Sequence, residues 1–122
     1  MSDVTFYDSR GEVVAYKSGG ADAMFLWNGT PVAILSDQSV YTFSGRHIGW
    51  FIDGWIRDHS GGCVYFTEGA SGGPARPARA ARPARGARSA RPARGARQAR
   101  PARPARQVSW SPLSVGPAFF NQ

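Results

Sequence analysis

The 122-residue sequence predicts an all-β fold, four pseudo-symmetric β-hairpins followed by a polyproline II helix. Two repeats predict it: a glycine-centred strand pattern occurs four times in residues 1–70, and the triplet x-Ala-Arg occurs eleven times in residues 74–106. We expect three parts. These are a four-hairpin β domain over 1–70, a glycine linker and triplet repeat over 71–106, and a C-terminal aromatic segment over 107–122.

Four glycines spaced 18, 16 and 16 residues apart mark the hairpin turns: Gly11, Gly29, Gly45 and Gly61. The third and fifth residues after each glycine are β-branched or aromatic. Because residues two apart share one face of a strand, we expect both sets to be buried. They are Val14, Val32, Ile48, Val64, Tyr16, Ile34, Trp50 and Phe66. The residues between the two sets are mostly small: Ala15, Ala33, Gly49 and Tyr65.

Each glycine also follows a strand-like run, and the joints have turn chemistry. Asp8 and Asp58 each stand three residues before a glycine, as a type I turn prefers, and Asn28-Gly29 is a strong hairpin signal. Only short linkers separate the hairpins. Tandem units of this kind bury their apolar faces against one another, which predicts a pseudo-fourfold arrangement. The four runs are 4–7, 23–27, 39–43 and 55–57.

The period of three in residues 74–106 decides the expected conformation. In an α-helix the arginines would spiral around the axis, and each interior proline would cost roughly 3 kcal/mol. In a strand they would alternate between faces. A polyproline II helix has three residues per turn, so it places all arginines along one edge. Those arginines, the candidate polyanion-binding residues, are Arg76, Arg79, Arg82, Arg85, Arg88, Arg91, Arg94, Arg97, Arg100, Arg103 and Arg106.

The charge divides the chain. Residues 1–70 carry eight acidic and four basic side chains and are net negative, whereas the triplets carry eleven arginines and no acid. The acidic domain is therefore the first partner predicted for the arginines. The C-terminal segment is aromatic, with Trp110, Leu113, Phe119 and Phe120, which predicts that it returns to the domain and fastens the triplet helix at both ends. Aromatic grooves bind polyproline II helices in other modules. The candidate groove residues are Trp27, Trp50, Trp55 and Trp110.

Other features of the sequence limit the expected cellular compartment and the size of the domain. Cys63 is the only cysteine, so no internal disulfide can form and a reducing compartment is favoured. The sequence has no signal-peptide pattern and no run long enough to span a membrane. We expect a cytoplasmic bacterial protein. A 70-residue β domain is near the lower size limit for an independent core, so an added segment would stabilise it.

The hairpin and triplet motifs together resemble a bacterial family, the four-fold beta flower domain. The resemblance rests on Phe25-Leu26-Trp27-Asn28-Gly29, Gly54-Trp55-Ile56-Arg57-Asp58, Gly72-Gly73-Pro74 and Ser109-Trp110-Ser111-Pro112-Leu113, and covers nearly the whole chain. In such relatives the triplet tends to read Pro-Leu-Lys, whereas here it reads Pro-Ala-Arg. The resemblance implies the fold; it implies no activity.

No motif predicts catalysis, a cofactor or a metal. His47, His59, Asp58 and Cys63 lack the spacing of metal ligands, and a surface turn histidine and a half-buried thiol are expected instead. We therefore expect a non-enzymatic protein. Three function classes stay open: a structural or interaction module whose triplet helix lies on its own domain, a sequence-nonspecific binder of nucleic acid or another polyanion, and a binder of anionic lipid heads.

Overall fold

The computed structural model describes residues 3–122, and within them the chain forms eight strands and one short 3-10 helix. The strands are β1 (Val4–Tyr7), β2 (Val13–Lys17), β3 (Ala23–Leu26), β4 (Pro31–Ser36), β5 (Ser39–Tyr41), β6 (His47–Ile52), β7 (Trp55–Arg57) and β8 (Cys63–Phe66), and the 3-10 helix is Ala118–Asn121. Consecutive strands pair antiparallel and close into a barrel. The prediction of an all-β fold of four hairpins is confirmed.

The hairpins β1–β2, β3–β4, β5–β6 and β7–β8 (hairpins 1 to 4) follow one another around the barrel. Each pairs with the next through three further residue pairs. The seam between β1 and β8 is narrower, with the single pair Tyr7 and Phe66. That seam is where the chain leaves the barrel after hairpin 4 and where its last segment returns. In the described chain, residues 3–122, no helix has the length and apolarity to cross a membrane.

Every hairpin contains a β-bulge at the same place. In hairpin 1, Phe6 pairs with Ala15 but Tyr7 pairs with Val13, so Val14 is the extra residue on β2. The registers of the other hairpins skip one residue in the same way, at Val32, Ile48 and Val64. A bulge sets two residues of one strand against one of its partner, so the side chains no longer alternate there.

Because of the bulge, the third and fifth residues after each glycine do not share one face of the strand, although the sequence had predicted that they would. Val14 and Ala15 both belong to the one core cluster that draws residues from all eight strands, which identifies it as the barrel interior. Tyr16 belongs instead to a separate cluster on the outside of the sheet. The third residue after each glycine thus points inwards and the fifth points outwards. Seven of the eight residues expected to be buried are buried, but Val32 is only partly so.

The small residues between the two sets make room for the C-terminal segment. A Cβ on Gly49 would lie 2.9 Å from the Phe119 ring and 2.2 Å from the Arg57 carbonyl oxygen. Phe119 is fully buried in the interior cluster, and Tyr65 stacks on Phe120 with ring centroids 5.5 Å apart. The 3-10 helix at the end of the chain therefore completes the barrel core.

Residues 74–106, here called the strap, contain neither helix nor strand. Its backbone N–H groups bond to the turns of hairpins 1, 2 and 3 in that order, and Gln107, the next residue, bonds to the turn of hairpin 4, so the strap runs around the outside of the barrel. At 3.1 Å per residue, the rise of a polyproline II helix, 33 residues would extend about 100 Å. The polyproline II conformation of the strap stays a prediction.

Candidate functional site

The strap sits directly on the four turn glycines. A Cβ on Gly29 would lie 1.9 Å from the carbonyl oxygen of Ala87, which is well inside any real contact distance. At each of the other three turns, the carbonyl oxygen of a strap alanine lies 1.9 to 2.1 Å from the position of an added Cβ. The four pairs are Gly11 with Ala78, Gly29 with Ala87, Gly45 with Ala96, and Gly61 with Ala105. Only glycine permits this approach of backbone to backbone.

The alanines over the turns recur every nine residues, and a nine-residue pattern runs through the strap. Read in blocks of nine, the first triplet of each block begins with proline at 74, 83, 92 and 101. The second begins with proline or glycine, and the third never begins with proline. The strap is therefore a nonapeptide repeat of three full blocks and two triplets of a fourth, and each of the four faces one hairpin. The triplets were predicted from the sequence, but this longer period, which the distribution of prolines reveals, was not.

Backbone hydrogen bonds explain where the prolines fall. Each x residue that is not proline, together with Gln107, donates its N–H to a carbonyl of a hairpin turn at 2.7 to 3.2 Å. The donors are Ala80, Gly86, Ser89, Gly95, Gln98 and Gln107, and their acceptors are Gly11, Trp27, Gly29, Phe43, Gly45 and Gly61. Proline has no N–H, so it is compatible only with positions that need no bond.

The two strap glycines have a steric reason of their own. A Cβ on Gly86 would lie 2.2 Å from the Asn28 carbonyl oxygen, and one on Gly95 would lie 2.1 Å from the Ser44 carbonyl oxygen. Both positions begin the second triplet of a block and face the short turns of hairpins 2 and 3. In hairpins 1 and 4 the corresponding strap residues are Pro77 and Pro104.

Five of the strap arginines form ion pairs with the acidic residues of the barrel. The distances between guanidinium nitrogen and carboxylate oxygen are 2.6 to 3.0 Å. The pairs are Arg79–Glu68, Arg85–Asp3, Arg94–Asp22, Arg100–Asp37 and Arg106–Asp53. The hydrogen bond from Arg94 lowers the pKa of Asp22, and that from Arg85 lowers the pKa of Asp3. Asp22, Asp37 and Asp53 lie in the links between hairpins, whereas Asp3 precedes β1 and Glu68 follows β8.

The other six arginines contact uncharged groups of the barrel. Arg88 donates to the Tyr16 hydroxyl at 3.0 Å, and its guanidinium lies 4.9 Å from the Phe25 ring centroid. Arg91 lies over the same Phe25 ring at 5.8 Å. The remaining four donate to barrel oxygens: Arg76 to Thr67 and Glu68, Arg82 to Thr5, Arg97 to Ser36, and Arg103 to Gln38. Each of the eleven arginines thus contacts the barrel.

The four candidate groove tryptophans divide into two pairs. Trp27 donates its Nε1–H to the Pro83 carbonyl oxygen at 2.7 Å, and Trp50 lines a depression together with strap alanines and prolines. Trp55 instead holds the glycine linker before the strap, through a 3.0 Å bond from Nε1 to the Ser71 carbonyl oxygen. Trp110 packs edge-on against Trp55 at 5.4 Å. Two tryptophans therefore face the strap and two fix the segments that flank it.

A single buried arginine joins the two ends of the strap. Arg57 Nη1 donates to the Gly61 and Gln107 carbonyl oxygens at 2.7 and 2.8 Å, and Nη2 reaches the Gly72 carbonyl oxygen at 3.4 Å. Gly72 precedes the strap and Gln107 follows it. The strap thus begins and ends at hairpin 4, and one guanidinium closes the ring around the barrel. Arg57 was not among the site residues predicted from the sequence.

The aspartates of the outer turns fasten the C-terminal segment. Asp8 accepts from the Gly116 amide at 2.9 Å, and Asp58 accepts from the Ser111 hydroxyl at 2.5 Å. Burial would raise both pKa values. Backbone amides and hydroxyls that donate to the carboxylates outweigh it, and they hold the pKa of each below its ordinary value. Both aspartates are needed in their charged form to hold this segment.

The residues considered as metal ligands have other partners. Cys63 is fully buried rather than half-buried, and burial raises the pKa of its thiol. Its backbone pairs with Trp110 in a parallel bridge. His59 is exposed in its turn, as expected, but its ring bonds to that of His47 at 2.9 Å. Within the described residues, no group of three or more potential ligands is placed to hold a metal ion.

An eight-stranded antiparallel barrel of four bulged hairpins, ringed by a basic strap with one repeat block per hairpin, defines a small fourfold all-β domain. The chain belongs to the family described as 4-fold beta flower protein, whose family model matches residues 4–119. The resemblance predicted from the sequence is thereby confirmed. No curated protein and no solved structure shows a significant match to the chain.

Proposed function

We propose that this chain is a non-enzymatic structural or interaction module whose arginine strap is an internal part of its fold. One observation carries the proposal: all eleven strap arginines and all non-proline x residues contact the chain's own barrel. The barrel is small, and its outward-facing aromatic residues need a cover. The strap supplies that cover, and its charge complements the acidic ends of the hairpins.

Burial of polar and nucleophilic groups supports the non-enzymatic part of the proposal. The Cys63 thiol is buried with a raised pKa, which opposes formation of the reactive thiolate. Asp8 and Asp58 use their carboxylate oxygens to hold backbone amides and the Ser111 hydroxyl. Groups engaged in this way serve the fold rather than proton transfer.

Truncation after Gly73 tests the structural role of the strap together with the C-terminal segment, because it removes both. We expect the truncated barrel to melt at a markedly lower temperature and to bind a hydrophobic dye, because Tyr16, Phe25 and Tyr41 lose their cover and the barrel core loses Phe119. The matched control keeps the strap but changes Arg79, Arg85, Arg94, Arg100 and Arg106 to Gln. It should be harmed much less, because exposed ion pairs contribute little stability. If the truncated barrel melts at the original temperature and stays monomeric, the strap is an appendage and the proposal fails.

A second candidate function is binding of a polyanion. It is favoured by the six arginines that lack a carboxylate partner among residues 3–122: Arg76, Arg82, Arg88, Arg91, Arg97 and Arg103. The strap distributes them around the barrel, so a straight duplex lying on one side would meet two or three. The slope of log affinity against log salt is about −0.9 per phosphate contact, which predicts a slope of roughly −2 to −3.

Titration with a generic DNA duplex between 50 and 200 mM salt separates the two candidates. Weak binding with the shallow slope, lost by moderate salt, is the result expected of a strap that serves the fold. Tight, sequence-selective binding that survives high salt would make polyanion recognition the primary function. A variant with Asp22, Asp37 and Asp53 changed to Asn should bind the duplex more tightly, because these carboxylates compete for the arginines.

A further inference from the structure

The only two histidines of the chain are joined to each other at the strap. Nδ1 of His47 lies 2.9 Å from Nε2 of His59, and the two ring planes differ by 9°. His47 begins β6 and is 2% exposed, whereas His59 is exposed in the turn of hairpin 4. The bond therefore joins hairpin 3 to hairpin 4 and connects a buried ring to one in contact with solvent.

The unpartnered nitrogen of His47 fixes the direction of this bond. Nε2 of His47 is buried and has no hydrogen-bond partner among the described residues. An orphaned buried N–H is rarer in proteins than an acceptor with a spare lone pair, so Nε2 carries no proton in the folded state. The neutral His47 ring then has its proton on Nδ1 and donates it to Nε2 of His59.

Among the described residues, no carboxylate faces the pair. His47 packs edge-on against Tyr41 of β5 and Trp50 of β6, with ring centroids 5.2 and 4.9 Å away. From the strap, Arg100 donates to the Tyr41 hydroxyl, and the Arg97 guanidinium lies over the Tyr41 ring. The charged groups nearest His47 are thus cationic. An imidazolium here would gain no counter-ion and would be repelled by the strap.

The strap contacts the same place. The Gln98 side chain accepts the backbone N–H of His47 at 2.9 Å, and the Gln98 backbone N–H donates to Gly45. Beside these bonds lies an open depression of about 540 Å³. It is lined by His47, Trp50, His59, Gln98, Ala99, Pro101 and Ala102, none of them acidic. The depression leaves room for the His59 ring to turn towards solvent.

We propose that the His47–His59 pair is an acid-sensitive clasp, which holds hairpin 4 and strap residues 98–102 against hairpin 3 and opens when it takes up a proton. A proton added to the pair either sets two N–H groups against each other or creates a buried Nε2–H without an acceptor. Both arrangements favour an open form in which His59 rotates away and strap residues 98–102 leave the His47 ring exposed. The clasp regulates the strap locally, which goes beyond its structural role.

The lowered pKa of His47 also favours opening of the clasp in acid. Burial, followed by the charges of His59 and Arg100, lowers the pKa of His47 to about 4 from its usual 6.5. A form in which His47 is exposed would have the ordinary pKa and would bind the proton more readily. The open form therefore gains on the closed form as the pH falls from 6.5 towards 4, and the change is complete below that range.

Hydrogen exchange of the full chain, followed residue by residue with NMR, tests the clasp. After correction for intrinsic exchange rates, protection of the His47 and Gln98 amides should fall at least tenfold between pH 7 and pH 4.5. The Gly86 and Ser89 amides, which bond to hairpin 2, should keep their protection. Undiminished protection at His47 and Gln98, or an equal loss at all four amides, would overturn the proposal.

The variant His59→Gln supplies the matched control. Its side-chain oxygen can still accept the His47 Nδ1 proton, but the side chain cannot titrate, and the exposed site tolerates the change. Opening at Gln98 should then shift to lower pH by at least half a unit, because the Gln amide oxygen takes up no proton and keeps accepting from Nδ1 of His47. Opening at the same pH as in the original chain would assign the transition to other groups and refute the clasp. A folded spectrum at pH 7 confirms that the comparison is valid.

Discussion

The carbonyl oxygen of Ala87 occupies the space where a side chain on Gly29 would begin, 1.9 Å from an ideal Cβ. Gly29 also has a φ of 96°, in the region that favours glycine. The variant Gly29→Ala must therefore strain its own backbone and displace the strap at hairpin 2. We expect a loss of about 3 kcal/mol in the free energy of unfolding, from a left-handed residue and one or two broken hydrogen bonds. Urea unfolding measures it.

Gly20→Ala is the matched control for this prediction. Among residues 3–122, no heavy atom lies within 4 Å of a Cβ added to Gly20, apart from its chain neighbours, and Gly20 has no positive φ in the left-handed range. Its free energy of unfolding should change by no more than about 0.5 kcal/mol. Equal effects of the two substitutions would show that the strap does not press on the turns.

The positions of the prolines in the strap give a second prediction. Ser89→Pro removes the N–H that donates to the Gly29 carbonyl oxygen, whereas Pro92→Ser changes a position without such a bond. The double variant has the composition of the original chain. We expect it, like Ser89→Pro alone, to lose roughly 1 to 3 kcal/mol of stability because a buried carbonyl loses its donor.

The single variant Pro92→Ser should lose less than about 1 kcal/mol, the usual entropic contribution of a proline. Thermal unfolding of the three variants is sufficient to rank them. If only the number of prolines mattered, Ser89→Pro would stabilise the chain and the double variant would match the original. That result would remove the hydrogen-bond explanation of the nonapeptide repeat.

The sequence predicted the strands and hairpins well because their signals are local. Asn28-Gly29 and the run Val4–Tyr7 carry turn and strand chemistry within a few residues. The facing of the side chains was mispredicted because a bulge adds one residue without a sequence signal of its own. Val14 and Ala15 look like alternating strand residues, yet both point into the core.

The sequence predicted that the strap contacts the acidic domain, but it did not predict the register of those contacts. Opposite charges and a period of three predicted that the strap lies on the acidic domain, but they do not say which triplet meets which turn. The register depends on the carbonyls of residues such as Trp27 and Gly45, which no side-chain pattern reports. Arg57 was missed for a similar reason, since its partners are backbone oxygens contributed by distant segments.

The lowered pKa of Asp58 gives a prediction about acid. A carboxyl whose pKa is lower in the folded state stabilises the fold above its ordinary pKa of about 4, and this contribution is lost as the pH falls through the folded value. Asp58→Asn should therefore destabilise the chain at pH 7, by about 1 to 3 kcal/mol, since its amide nitrogen cannot accept from Ser111. At pH 2.5 the variant and the original should differ much less.

Urea unfolding of both proteins at the two pH values measures this difference. Glu12→Gln is the control, because Glu12 is exposed and its side chain makes no hydrogen bond among the described residues. It should leave the stability nearly unchanged at both pH values. A deficit of Asp58→Asn that is as large at pH 2.5 as at pH 7 would mean that the charge of Asp58 is not what holds the C-terminal segment.

Arg57 gives the last prediction, which concerns closure of the ring. Arg57→Met keeps most of the side-chain volume but removes the donors for Gly72 and Gln107, so both ends of the strap are released at once. We expect a loss of about 2 to 4 kcal/mol, from carbonyls left buried without their charged donor. Hydrogen exchange should show reduced protection first at Gln107, whose amide bonds to Gly61. Arg57→Lys retains the charge and one donor group, so its loss should lie between those of the original and Arg57→Met. A strap that frays first at Ser89, far from hairpin 4, would show that its ends are not fastened by this residue.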